Sequence, residues 1–179
     1  MSLGVGRNPG VEELRALAHP TRLRMLSLLT GAAMTAADLA RELELSHANA
    51  SYHLRLLHAA GTIEVAGEER IRGGVAKRYR YNPDRKLPTL RPGEHAINRR
   101  AVFMAFADEL RRRAARLRDV PDRHHGTDAE LWVDPDAWAE FRTRIVEASR
   151  ALHKAARPAR TPGTIRTNAT LAIFEMEPR

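Results

Sequence analysis

The sequence contains no cysteine, which excludes a disulfide framework, thiolate zinc sites and a cysteine nucleophile, and fits a reducing compartment. Any metal would have to rest on histidine and carboxylate ligands. No apolar run approaches the roughly eighteen residues needed to cross a bilayer. Glu12, Glu13, Arg15, His19 and Arg22 interrupt the N-terminal stretch where a signal peptide would carry an unbroken apolar core. The expectation is a cytoplasmic protein with no membrane partner. Catalytic signatures are missing too: there is no G-x-S-x-G elbow and no H-E-x-x-H. Gly4, Gly6 and Gly10 precede any strand, so they cannot form a loop that cradles phosphate. An enzyme is not expected, and no cofactor is implied.

What is present bounds the answer from the other side. A chain of 179 residues with 43% hydrophobic content can bury the core of one large or two small domains. The net charge of +8 and a sequence pI near 10.8 point to an acidic partner such as nucleic acid. The basic residues are almost all arginine, with Lys77, Lys86 and Lys154 the exceptions.

Residues 1–10 have no apolar period and read as a flexible tail. From 11 to 82 the pattern predicts helices followed by a hairpin. Leu14, Leu17 and Ala18 mark a first amphipathic stretch. Pro20 opens a second helix through Leu23, Leu26 and Leu29, which Gly31 stops. Thr35 is the N-cap of a third, with Asp38 at the capping-box position, and Leu39, Ala40 and Leu43 share one face. Ser46 caps a fourth.

On the fourth helix, Ala50, Leu54 and Leu57 cluster on one side at about 100° per residue. The opposite side presents Ala48, Tyr52 and Arg55, flanked by Asn49 and Ser51: small and hydrogen-bonding groups around one cation. No acidic residue occurs from Ser46 to Gly61, so nothing on this helix repels phosphate. His53 falls nearer the apolar side and reads as a structural histidine. Gly61 is the expected C-cap. Thr62-Ile63-Glu64-Val65 and Arg78-Tyr79-Arg80-Tyr81 alternate as strands about a Gly73-Gly74 turn. Arg70, Arg72, Lys77, Arg78 and Arg80 make the hairpin a basic wing at the height of a phosphate backbone.

The chain resembles the ArsR-type family of bacterial repressors. The resemblance is carried by Leu17-Ala18-His19-Pro20-Thr21-Arg22-Leu23-Arg24-Met25-Leu26, by Ala37-Asp38-Leu39-Ala40, and by Leu45-Ser46-His47-Ala48-Asn49-Ala50-Ser51-Tyr52-His53-Leu54-Arg55-Leu56-Leu57 through Ala60-Gly61. It implies a homodimeric winged helix-turn-helix regulator, usually a repressor released by an effector. The fourth helix would lie in the major groove and the wing on flanking DNA. His47, Asn49, Ser51 and Tyr52 fall on the family's base-reading segment and Arg55 on a backbone-contacting position; Ser46 and the wing residues Arg72, Lys77 and Arg78 are the further DNA contacts expected. Asn49 suits a bidentate contact to adenine. The chain departs from the metal-sensing members. Its third-helix stretch Leu39-Ala40-Arg41-Glu42-Leu43 holds no thiolate, and Asp108 and Glu109 are followed by Arg111, Arg112 and Arg113, a poor surround for a divalent cation.

Pro83, Pro88 and Pro92 punctuate a linker, residues 83–93. Residues 94–179 are expected to form a helical region for dimerisation, where an effector could also bind. Phe103, Phe106, Leu110 and Leu117 lie at helical spacing. Pro135 to Ala156, with Asp134 as N-cap, places Trp138, Phe141, Ile145, Ala148, Leu152 and Ala155 on a heptad seam. Phe103, Phe106, Leu110, Trp138, Phe141, Ile145 and Leu152 are the dimerisation residues expected. Leu131-Trp132-Val133 and Thr164 to Met176 read as short strands that pair and cover the helices. The fold class is thus mainly α with a small β component. The aromatics Phe103, Phe106, Trp132, Trp138 and Phe141 are dimer core or, on the other reading, the lining of a small-molecule pocket. His124 and His125 with Asp122, Asp128 and Glu130 form the one His-carboxylate cluster, read as a solvated loop rather than a metal site. The competing function is a winged helix that binds another protein and has no preference for DNA sequence.

Overall fold

The computed structural model describes residues 9–71, 73–82, 95–118, 120–121 and 124–177. Four helices come first: α1 (Pro9–Leu17), α2 (Pro20–Gly31), α3 (Ala36–Leu43) and α4 (His47–Ala59). An antiparallel hairpin follows, β1 (Ile63–Ile71) and β2 (Gly74–Tyr81), then two long helices, α5 (His95–Ala114) and α6 (Pro135–Lys154). This order is a winged helix-turn-helix with a helical extension. The helical part begins at Pro9, inside the stretch expected as tail.

Local chemistry sets most boundaries. Thr35 and Asp38 close a capping box: the Asp38 amide donates to Thr35 Oγ1 at 3.2 Å and the Thr35 amide donates to Asp38 Oδ2 at 3.1 Å. Ser46 Oγ accepts the Asn49 amide at 3.2 Å and so starts α4. Between α3 and α4 the chain reverses through Glu44, which takes the left-handed conformation at φ 57°. At the far end of α4, Ala60 is the C-cap and Gly61, at φ 66°, turns the chain into β1, a conformation that glycine adopts without a Cβ penalty. His19 caps α2, with its Nδ1 accepting the Thr21 amide at 3.1 Å, and Pro20 occupies the first turn where its missing N–H costs nothing.

The core fills the space between these helices. Met25, Leu29, Leu39, Ala50 and Leu57 are fully buried and Leu54 almost so, with Leu43 and Ile63 at the edge. The wing is tied to this body by a bridge that the sequence did not announce. Met34, in the α2–α3 connection, exchanges both backbone bonds with Tyr79, at 3.0 and 2.8 Å. Arg78 adds a side-chain tie to the Ala33 carbonyl at 2.5 Å.

The extension departs from expectation in two respects. Leu131–Val133 and Thr164–Met176 form no strand; among the described residues β1 and β2 are the only named strands. Their apolar alternation lacks a neighbouring ladder to take up backbone bonds, and Phe174 stacks on Phe103 at 5.0 Å instead of lying on a sheet. On α5 the line turned inward is Val102, Ala105 and Glu109, all buried, with α5 packed on α1 and α2. The Phe103, Phe106 and Leu110 stripe lies beside it, half-buried at the two phenylalanines and exposed at Leu110. Glu109 is held by Arg112 at 2.7 Å and Arg113 at 3.3 Å, and Arg113 reaches on to Asn168 at 3.0 Å.

The α6 helix has no buried residue. It ends at Lys154 with Ala155 as C-cap, and Asp134 makes no side-chain capping bond at its start. The segment after it returns to the winged domain. A Cβ added at Gly31 would sit 2.4 Å from the Arg157 carbonyl oxygen, so only glycine admits this close approach, and Arg160 pairs with Glu42 of α3 at 2.7 Å. No helix among the described residues is long and apolar enough to cross a membrane.

Candidate nucleic-acid interface

The α4 helix is anchored by one face and presents the other. Ala50, His53, Leu54 and Leu57 are buried, whereas Ser46, His47, Ala48, Asn49, Tyr52 and Arg55 are exposed and Ser51 is half-buried. Such a helix can enter a groove without unpacking its own seat. Of the expected contact residues, Ser46 has its hydroxyl committed to the cap, which leaves the α4 N-terminus with one fewer orphan N–H. Tyr52 is 51% exposed, with its ring edge-on to His53 at 5.3 Å, so it is propped outward from the buried histidine.

Acidic groups near α4 are Glu42 and Glu44. Arg160 engages the first, and its own pKa is raised by the hydrogen bond and charge of Glu42. The C-terminal segment therefore offsets a negative charge beside α4. No local pattern marks this pairing, which links residues 118 positions apart.

The wing is less uniformly basic than its arginines suggest. In register, Glu64 stands opposite Arg80 and Glu68 opposite Lys77, and Glu69 bonds Arg78 at 2.8 Å. Opposite charges across an antiparallel pair largely offset one another. Arg78, bound to both Glu69 and the Ala33 carbonyl, braces the wing against the α2–α3 connection. Lys77 is exposed. Arg70 lies opposite Val75 near the tip and faces no acid across the ladder. Arg72 lies outside the described residues, as does the 83–93 linker.

In the extension, the expected dimerisation residues lie on separate surfaces. Phe103 has a partner within the chain, Phe174, and lies 6.2 Å from Phe106. On α6, Trp138 and Phe141 stack at 5.9 Å, and the Trp138 indole donates to Glu175 at 3.0 Å. Phe141 and Leu152 are each 47% exposed, and Trp138 and Ile145 are half-buried. The five aromatics offered as a pocket lining do not converge: Trp132 lines an open depression with Val133, Asp134 and Ala137, apart from the Phe103 and Phe106 pair. His124 Nε2 lies 2.8 Å from the Arg118 carbonyl, and His125 is exposed. Among the described residues no group of three histidines or carboxylates could hold a metal ion; Asp122 lies outside them.

Comparison with known proteins bears on part of the chain. Residues 17–66 match a family described as a helix-turn-helix domain. Over 49 residues the chain is 41% identical to the transcriptional repressor SdpR of Bacillus subtilis (strain 168), a stretch covering 27% of this chain and 54% of that protein. The chain thus spans about half the length of the curated relative it matches. The family match falls on the segment that builds α2, α3 and α4, so the winged half carries a helix-turn-helix domain by geometry and by similarity alike.

Proposed function

We propose that this protein is a sequence-specific, DNA-binding transcriptional regulator of the ArsR type, acting as a homodimeric repressor. The observation that carries this reading is the two-faced α4: a helix seated by Ala50, Leu54 and Leu57, with Asn49, Tyr52 and Arg55 turned outward and no acid on its surface. Its likeness to a repressor over 49 residues supports the same reading. In this arrangement His47, Asn49, Ser51 and Tyr52 read base edges. Arg55, Lys77 and the wing-tip arginines Arg70 and Arg72 meet phosphates. Arg78 keeps a phosphate-facing edge while its main bonds hold the wing in place.

The extension supplies the second copy. The apolar seam of α6, with Trp138, Phe141, Ile145 and Leu152 unburied in a single chain, pairs with the same seam of a partner and holds two α4 helices about one DNA turn apart. Phe103, Phe106 and Leu110 form a second apolar surface, on α5. A small-molecule effector acting through the extension would release the DNA, and the return segment at Arg157–Arg160 gives it a physical path to α2 and α3.

Asn49→Ala and Lys77→Ala separate reading from holding. Asn49→Ala is expected to lower affinity for the cognate site by about 1–3 kcal/mol while sparing scrambled duplex. Lys77→Ala is expected to weaken both duplexes alike and make the salt dependence shallower by about one counterion. Titration of labelled duplexes at several salt concentrations gives both quantities. Equal losses on the two duplexes from Asn49→Ala would remove it from the base-reading set.

A further inference from the structure

His19 and His53 lie against each other where α1, α2 and α4 meet, away from the outward face of α4. His53 is 6% exposed, and its Nδ1 has no hydrogen-bond partner among the described residues. Its ring centroid is 4.9 Å from that of His19 and 5.3 Å from that of Tyr52. His19 is the N-cap of α2, and its Nδ1 accepts the Thr21 amide at 3.1 Å. An imidazole nitrogen accepts only while it carries no proton. Protonating His19 at Nδ1 would turn the cap into a donor aimed at an N–H, at the positive end of the helix macrodipole.

A permanent cation stands beside both rings. The Arg22 guanidinium is fixed by the Ala16 carbonyl at 2.5 Å and the Arg15 carbonyl at 2.8 Å. From α4 the neighbouring titratable group is Tyr52, and from α1 comes the Arg15 backbone; Glu13 is a buried carboxyl elsewhere on that helix. Burial first, and then the charge of Arg22, holds the His19 pKa below the ordinary histidine range. Burial, then His19 and Arg22, does the same to His53.

We infer that this corner is an acid-sensitive latch: neutral His19 and His53 hold α4 against the start of α2, and their protonation loosens the recognition helix from its seat. The latch is a property of the free protein; its consequence for DNA rests on the regulatory reading. Because the folded state disfavours the charged rings, the unfolded chain binds more protons below the ordinary histidine pKa of about 6.5. The stabilisation is therefore complete above that value and is lost as pH falls through the lowered folded values. His47, exposed at the first turn of α4, acts with the opposite sign, since its protonation would favour phosphate. Weaker DNA binding in acid cannot come from it.

The test uses the full chain without DNA. Thermal unfolding of wild type, His19→Ser, His53→Phe, the double variant and Glu13→Gln is followed from about pH 8 to about pH 5, alongside NMR titration of the wild-type histidine rings. Serine keeps a cap that does not titrate, and phenylalanine fills the buried slot. The expected result is a Tm that falls with pH in wild type and in Glu13→Gln, and a flattened dependence in the double variant. His19 and His53 should titrate below the ordinary histidine value of about 6.5. Equal slopes in wild type and double variant, or ordinary titration of both rings, would overturn the latch. The ring titration decides alone if the variants fail to fold. With DNA, wild type should lose about tenfold more affinity than the double variant between about pH 7.5 and about pH 5.5. Equal loss would overturn the coupling to α4. A wild type that binds no duplex at any pH contradicts the regulatory reading and leaves the unfolding result to judge the latch.

Discussion

Leu54→Ala is expected to destabilise the protein by about 2–5 kcal/mol. Leu54 is 1% exposed and lies between Ala50 and Leu57 on the inner face of α4, against Met25, Leu29 and Leu39 in one cluster. Truncating it removes apolar surface from the core and leaves a cavity that helices pinned at both ends cannot close. The capping box of α3, the Ser46 cap and the Met34–Tyr79 bridge all resist collapse toward the gap. Against a typical domain stability of about 5–15 kcal/mol, the loss is a large fraction. Chemical denaturation reads it as a lower midpoint with an unchanged slope. A loss below about 1 kcal/mol would mean that α4 is not seated as described.

The second large effect concerns assembly. Phe141→Glu and Ile145→Lys, made singly, are expected to convert a dimer into monomers, because a charge in an apolar seam has no partner there. An isolated helix is marginal in water, and α6 has no buried residue within its own chain, so its apolar face needs a covering surface. Loss of the second reading head should lower affinity for a twofold site by about a hundredfold or more, since the linked second contact is what raises avidity. Sedimentation measures the first effect and duplex titration the second. An unchanged dimer in both variants would refute the seam and move the interface to the Phe103, Phe106 and Leu110 surface of α5.

Features legible in the sequence are those set by neighbours along the chain. Thr35 with Asp38, Ser46, Pro20 and Gly61 each fix a helix end through a bond or torsion spanning a few residues; the first three appear where the pattern predicts them, and Gly61 lies one residue beyond the C-cap, Ala60. The two faces of α4 follow from helical period alone. His19 was not legible as a cap, because histidine is an uncommon N-cap and Pro20 already accounted for the helix start. Contacts between distant segments left no trace: Met34 with Tyr79, Arg78 with Ala33, and Arg160 with Glu42 depend on the finished fold. The wing shows how a count misleads. Its cations were visible, but the offset by Glu64, Glu68 and Glu69 depends on a strand register shifted by the irregularity between Val65 and Gly67.

In the extension, period-two alternation misread Leu131–Val133 and Thr164–Met176 as strands. Alternation signals a strand only where a second strand lies alongside, and these segments spend their apolar residues on single contacts such as Phe174 with Phe103. The residues expected as a seam, Trp138 to Leu152, all lie on the one helix α6. On α5 the inward line is Val102, Ala105 and Glu109, one residue off the aromatic stripe. The buried acid Glu109 is tolerated because Arg112 and Arg113 neutralise it, a pairing visible at spacings of three and four only once the helix face is known.

The most direct measurement is selection of duplexes from a random pool by the purified full-length chain, followed by competition between the selected duplex and its scrambled counterpart at near-physiological salt. The account predicts a twofold-symmetric consensus, bound at least about a thousandfold more tightly than the scrambled duplex. Recovery of no consensus, with selected and scrambled duplexes competing equally even at low ionic strength, would contradict it.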